Sequence, residues 1–118
     1  MSPGNYKIPF HTTNWEEVPA TNHPGESGYS TWRTHEINGL RIRMVEYSKN
    51  YAADHWCEKG HLLFVLQGEL NTELSTGEKF TLTEGMSYQV SDHRSSHRSS
   101  TERGAKLIIV DGTFLADQ

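Results

Sequence analysis

The sequence has one cysteine, Cys57, in 118 residues. No intramolecular disulfide can form, and a reducing compartment, the cytoplasm, suits a chain with a single free thiol. It also lacks a long hydrophobic run. Leu62 to Leu66 is the longest, far short of the roughly 20 apolar residues that cross a bilayer as a helix. Met1-Ser2-Pro3-Gly4 does not open a signal peptide. There is no excess of positive charge: 11 Lys and Arg against 15 Asp and Glu, well interspersed, give a formal charge of -4. That argues against nucleic acid and against an anionic membrane as partner. No amphipathic helical period of useful length and no solenoid repeat can be found. These absences leave a single soluble domain, long enough to bury a core and built from strands.

Residues 1–28 are irregular and rich in Pro, Gly, Thr and Asn, yet carry Phe10, Trp15 and Val18. They are expected to form an arm packed on the domain proper, residues 29–118. Within the arm, residues 6–10 read as a short strand and residues 13–17 as one capped helical turn ended by Pro19. Residues 22–25 read as a turn. Beyond Tyr29, residues 30–37 and 40–47 flank Asn38-Gly39, the strongest short hairpin signal. Further strands are expected at 51–57, 61–66, 69–74, 79–82, 86–90, 96–101 and 105–110. Short strands at this spacing, with turn residues between them, describe an antiparallel sandwich or barrel. Two of these strands are apolar on both faces: Leu62, Phe64 and Leu66 alternate with Leu63 and Val65, and Leu107 and Ile109 with Ile108 and Val110. One face can line the interior. The other needs cover, from the arm or from a second copy of the chain, so a homodimer is expected.

The chemistry concentrates in Asp54-His55-Trp56-Cys57-Glu58-Lys59-Gly60-His61. His55 and Cys57 are two apart and would share a face of a strand. A Glu-Lys-Gly turn follows, and His61 opens the apolar run. Two strands joined by a tight turn would aim all three side chains at one volume. Imidazole and thiolate are the ligands that zinc and divalent transition metals prefer. Spacing alone leaves a plainer reading open. The chain has seven His, a buried Cys often acts as a small apolar residue, and no zinc-finger or His-Glu-x-x-His pattern is present. His97 follows a polar loop at the start of a strand, and only a closed antiparallel fold would bring it to the others.

On these residues the chain resembles a small single-domain cupin. The first cupin motif is Gly, five residues, His-x-His, three or four residues, Glu, six residues, Gly. Here it reads His55-x-Cys57, three residues, His61, six residues, Gly68. The second motif runs from a Gly toward Pro-x-Gly-x-x-His. Gly85 and His97 match it, with Ser91 or Asp92 at the Pro position and a polar loop in place of the Gly. Asp54-His55-Trp56-Cys57 also resembles a group of small bacterial cupins named for an Asp/His/Cys/Trp motif. Cys57 replaces the second His, His61 replaces the Glu, and the leading Gly is missing. The resemblance spans roughly residues 38–111 and implies an antiparallel jelly-roll barrel, the double-stranded β-helix. It also implies a metal site of His55, Cys57, His61 and His97, holding one divalent transition metal per chain. A thiolate ligand favours zinc, iron or nickel over manganese. The set is similar to the three-His sites of thiol-oxidising cupins with a sulfur added. Four protein ligands would close a tetrahedral zinc. Three His with Cys57 as a loose neighbour would leave a position open for substrate.

Other residues carry two readings each. Arg41 and Arg43 share a strand face and would either clamp an anionic substrate or form a solvated face. Tyr88 and Trp56 are pocket candidates, but strand parity turns Trp56 away from His55 and toward an outer face. Arg94, Ser95 and Arg98 flank His97 as groups at a pocket rim, and His93 reads as a loop residue. A cysteine nucleophile would need a base and an oxyanion hole, and neither is visible. Two function classes follow, both with a small-molecule ligand or substrate. One is a metal-dependent oxygenase or related oxidoreductase. The other is a cupin that binds or senses a metal or small ligand without turnover.

Overall fold

A computed structural model of the chain describes residues 7–116. Nine strands are present among the described residues: β1 Ala20–Pro24, β2 Tyr29–Ile37, β3 Leu40–Tyr47, β4 Tyr51–Ala52, β5 His61–Leu74, β6 Lys79–Thr83, β7 Ser87–Val90, β8 His97–Thr101 and β9 Ala105–Gly112. The only helical elements among the described residues are 3-10 turns at Trp15–Glu17 and Thr113–Leu115. None is long and apolar enough to cross a membrane. Asn38 and Gly39 both take positive φ, 46° and 85°. That is the left-handed pair a two-residue hairpin turn needs, and Asn and Gly tolerate it best. The turn sets β2 on β3 from Ser30 opposite Tyr47 to Ile37 opposite Leu40.

All pairings are antiparallel, and the strand order is β1-β2-β3-β9-β5-β8-β4. The spine is β5. Its first half lies between β9 and β7, and its second half between β8 and β6. The sheet therefore curls on itself along one strand, as an antiparallel barrel of the jelly-roll kind. The sequence reading divides this strand in two at Gly68; the structure runs it unbroken from His61 to Leu74. The ladder absorbs the change with a register shift between Val65 and Gln67, and Gly68 bends at φ 87°. A bulge next to a glycine lets one strand serve two sheets. Side-chain space agrees, since a Cβ on Gly68 would stand 2.3 Å from the carbonyl oxygen of Gly104.

The inward face carries the core: Val45, Leu63, Val65, Leu70, Leu82, Ala105, Leu107 and Ile109 are all buried. On β3 the polar and apolar faces are split by the sheet. Arg43, Val45 and Tyr47 point inward with Arg41, while Leu40, Ile42 and Met44 face outward beside Ile108 and Val110 of β9. Phe64, Leu66 and Met86 are exposed.

Two further expectations change. Of residues 22–25, read as a turn, residues 22–24 belong instead to β1, which pairs with β2 from Ala20 opposite Arg33 to Pro24 opposite Tyr29. Pro24 sits at the end of an edge strand, where its missing N–H costs no ladder bond. Of the strand expected at residues 6–10, Tyr6 lies outside the described residues and residues 7–10 have no regular structure. The helical turn is present as expected: the Asn14 side chain accepts from the Glu16 N–H, and Arg33 donates to the carbonyls of Trp15, Glu16 and Val18.

Candidate metal centre

The site begins with a two-residue bridge. Cys57 and His97 exchange both backbone hydrogen bonds, Cys57 N–H to His97 C=O at 2.8 Å and His97 N–H to Cys57 C=O at 3.0 Å. Residues paired in this way put their side chains on the same side of the ladder. His61 opens β5. Leu62 stands opposite Val110, so His61 and Asp111 come next across the β5–β9 ladder. Gly60 holds this corner, its N–H donating to the Asp92 carboxylate at 2.6 Å.

The three side chains meet inside the barrel. One donor atom from each of Cys57, His61 and His97 lies within 4.8 Å of the others. Cys57 Sγ is 3.7 Å from His61 Nε2. Zinc–sulfur and zinc–nitrogen bonds of about 2.3 and 2.05 Å at a tetrahedral angle would separate S and N by about 3.6 Å. The observed spacing therefore suits an ion between them.

The tautomers support the same fit. His61 Nδ1 is 3.0 Å from Asp111 Oδ2, and His97 Nδ1 is 2.9 Å from the Ser95 carbonyl oxygen. A carbonyl can only accept, and so can a carboxylate held ionised. Both Nδ1 atoms therefore donate, and both Nε2 atoms are left toward the cluster. The His97 Nε2 is buried with no hydrogen-bond partner. An orphaned buried nitrogen is costly unless something is bound to it. A histidine whose far N–H is tied to a carboxylate or carbonyl is the usual support for a metal ligand.

Charge is arranged to match. Burial pushes the Cys57 thiol up, but His61, His97 and the Lys59 backbone outweigh it and bring it to about 5. At neutral pH Cys57 is a thiolate, the form that binds metal. Burial lowers His97, and the neighbouring Cys57 and the Ser95 carbonyl more than reverse this, leaving it above its usual value. Burial raises Asp111, yet His61, Arg41 and Arg43 hold its carboxyl well below the ordinary range. Arg41 grips Asp111 through two bonds of 2.8 Å, and Arg43 donates a third at 3.0 Å. The two arginines thus face inward onto a carboxylate and do not form a solvated face.

His55 lies apart from this group. The segment 53–60 is a loop, with strand pairing ending at Ala52 and resuming only at the Cys57 bridge. Two-residue parity does not hold there. The His55 side chain is 74% exposed, with Nδ1 2.6 Å from Asp54 Oδ1. It lines the cavity beside the cluster but does not reach the donors. Trp56 is at the surface, under the Arg98 guanidinium at 4.5 Å, and His93 is an exposed loop residue. Sequence reasoning did not single out Asp111. Its signal was parity: positions 105, 107 and 109 of β9 face inward, and 111 continues the series with a carboxylate.

The cluster opens into a cavity of about 230 Å³ with Trp32, Tyr47, Tyr51 and Tyr88 in its walls. A larger groove of about 680 Å³, lined by Asn71, Glu73 and Lys79, contains none of the three donors. No protein-family profile matches the chain, and no curated protein matches it in sequence. Solved structures do match. An RmlC-like cupin from Shewanella frigidimarina aligns at TM-score 0.68 and 20% identity, covering 88% of this chain and 91% of that one. The EutQ protein of Clostridium difficile aligns at TM-score 0.63 and 19% identity, over 73% and 69%. Hydroxypropylphosphonic acid epoxidase from S. wedmorenis aligns at 0.69 and 19% identity, over 86% of this chain and 59% of that one. Its Fe(II) form with an alternative substrate aligns at 0.70 and 19% identity, over 86% of this chain and 60% of the longer one. These likenesses establish the fold: the chain has the antiparallel barrel fold of the RmlC-like cupins.

Proposed function

From the cupin barrel and the cluster inside it, we propose that the chain binds one divalent transition metal through Cys57, His61 and His97. We propose further that it acts on a small molecule as an oxygenase or related oxidoreductase. The observation that carries this reading is the pair of imidazoles whose Nδ1 atoms are spent on Asp111 and the Ser95 carbonyl. That leaves two Nε2 atoms and a thiolate facing one another. The thiolate favours zinc, iron or nickel, and the likeness to an Fe(II) epoxidase supports iron. Bound there, the metal would supply Lewis-acid or redox chemistry to a small substrate.

The chain's own residues do the rest. Asp111 holds His61 in one tautomer and orientation, and the Ser95 carbonyl does the same for His97. Trp32, Tyr47 and Tyr88 wall the cavity and limit water. Three protein donors leave a fourth position of a tetrahedral ion free, as catalytic sites do. A second reading, binding or sensing without turnover, is supported by His55 at the cavity wall, because its rotation onto the ion would close the site.

The test is elemental mass spectrometry of tag-free protein beside His97→Ala. About one equivalent of iron, nickel or zinc, lost in the variant, is expected for a single tetrahedral site. No metal after reconstitution with each ion would overturn the reading. X-ray absorption would then distinguish two imidazoles from three, and with that an open site from a closed one.

The Asp54-His55-Trp56-Cys57 string supports placing the chain in the cupin group named for those residue types, with residues 1–28 as an arm on a barrel of 29–118. The single free thiol supports a cytoplasmic setting. A homodimer through the outer face is supported by exposed Phe64, Leu66 and Met86 beside Ile42, Met44 and Ile108. Sedimentation as a clean monomer would remove it.

A further inference from the structure

The cavity beside the cluster is lined by four cationic side chains, with the Cys57 thiolate as the anionic group in its wall. Arg41, Arg43, Lys59 and Arg98 line it. At the partly exposed rim, Arg98 pairs with Glu73 at 3.0 Å and Lys59 stands 3.9 Å from Asp92. Deeper in, Arg41 and Arg43 share one carboxylate, Asp111, which His61 also uses. Glu36 faces Arg41 across the β2–β3 ladder, but it is exposed and forms no ion pair with it among the described residues. Two guanidinium groups therefore meet one buried carboxylate, in a chain whose formal charge is -4.

The unused donors are specific. Arg43 is 5% exposed, and its Nε is buried with no partner. Arg41 spends Nε and Nη2 on Asp111 and leaves Nη1 without a hydrogen bond among the described residues. An unpaired N–H on a buried cation is costly, and an anion is what satisfies it. A divalent ion on the cluster would offset the Cys57 thiolate and leave the free guanidinium donors to draw in an anion. The planar fork of arginine suits a carboxylate. The cavity, about 230 Å³, falls below the roughly 300–1,000 Å³ of pockets for drug-sized ligands.

We propose that this cavity binds a small organic carboxylate, its head group on Arg41 and Arg43 and the remainder reaching the Cys57/His61/His97 cluster. The inference rests on the cluster being the reacting centre, and it names the class of substrate. The carboxylate accepts from the free guanidinium N–H groups and lies beside aromatic walls, so neutral analogues of the same shape bind far less well.

The experiment titrates zinc-free and zinc-loaded protein with acetate, acetamide and inorganic phosphate while following the arginine Nε–Hε NMR signals. Acetate is expected to shift the signals of Arg41 and Arg43 saturably in both forms, and acetamide is not. Arg41→Gln weakens acetate binding by about tenfold or more, the usual cost of a lost charge-assisted bond, and the loss is read in the zinc-free protein, where no effect passed through Asp111 to a metal can enter. Arg41→Lys, which keeps the charge without the fork, recovers part of the loss. If neither variant folds, the acetate and acetamide titrations of the native protein decide alone.

Equal effects of acetate and acetamide would overturn the proposal, and so would saturation by phosphate only. Acetate binding that needs zinc and ignores Arg41→Gln would also overturn it, since the anion would then sit on the metal. If zinc fails to bind while acetate still shifts both arginines, the metal reading falls and the carboxylate site stands.

Discussion

Asp111→Asn tests the support of the site with little change of shape. The Asp111 side chain is 1% exposed and accepts from Arg41 Nε and Nη2, Arg43 Nη2 and His61 Nδ1 at 2.8, 2.8, 3.0 and 3.0 Å. An amide keeps one acceptor oxygen. In its better flip the oxygen replaces Oδ2 and serves three donors, while the NH2 group faces Arg41 Nε. In the other flip it faces three donors. Either way the negative charge is gone. Arg41, with 28% of its side chain exposed, can turn toward water, but Arg43, at 6%, cannot. Removing one partner of a buried ion pair costs about 3–5 kcal/mol. The freedom of Arg41 favours the lower end, about 3 kcal/mol.

For a domain of this size each kcal/mol moves Tm by about 3–5 °C, so a fall of roughly 10–15 °C is expected at neutral pH. The sign with pH follows from the lowered carboxyl. The folded protein keeps the proton off where the unfolded chain takes it up, so this stabilisation is present above about pH 4 and is lost on acidification below it. Thermal melts of both proteins across this range should therefore converge at low pH. Zinc affinity, measured by chelator competition, should drop about 10- to 100-fold as His61 loses its anchor. A Tm within about 3 °C of the native protein at neutral pH, or a gap that does not narrow on acidification, would refute the reasoning.

Other outcomes follow from the same geometry. Cys57→Ser should cost more zinc affinity than the loss of a supporting residue, above about 100-fold, whereas His55→Ala should leave it nearly unchanged; chelator competition separates the two. Zinc affinity should fall on acidification, first as His97 protonates above its usual range and then as the Cys57 thiolate is lost near 5. Cys57→Ser removes the lower step. Leu63→Ala, at a side chain 1% exposed, should lower unfolding stability by about 2–5 kcal/mol in urea. Gly68→Ala forces a Cβ to within 2.3 Å of a carbonyl at φ 87° and should cost at least about 1–2 kcal/mol.

Much of the barrel is legible from local pattern. Alternation sets Leu63 and Val65 against Leu62, Phe64 and Leu66, and Leu107 and Ile109 against Ile108 and Val110, marking two strands with both faces to be covered. Asn38-Gly39 calls its own hairpin because few other pairs tolerate its dihedrals. The site is legible in part. Cys57 and His61 stand out as candidates by ligand type and spacing, and His97 joins them only through the resemblance to the second cupin motif. The separation of His55 cannot be read this way, because parity holds only where the backbone is extended and paired. At residues 53–60 the chain leaves the sheet, and His55 turns out to Asp54.

The amino-acid order by itself determined an all-β antiparallel domain, its strongest turn, its apolar strands and the residue types that can hold a metal. These depend on interactions between near neighbours, which a short window contains. Tertiary closure decided the rest. It fused residues 61–74 into one bent strand, because two sheets had to share it. It turned the arginine face of β3 inward, because Asp111, 70 positions from Arg41, arrives across the β3–β9 ladder. It set Cys57 against His97 through a bridge that no local rule specifies. The orphaned nitrogen of His97 and the shared carboxylate of Asp111 exist only in the closed barrel, where water is excluded and each buried charge must find its partner.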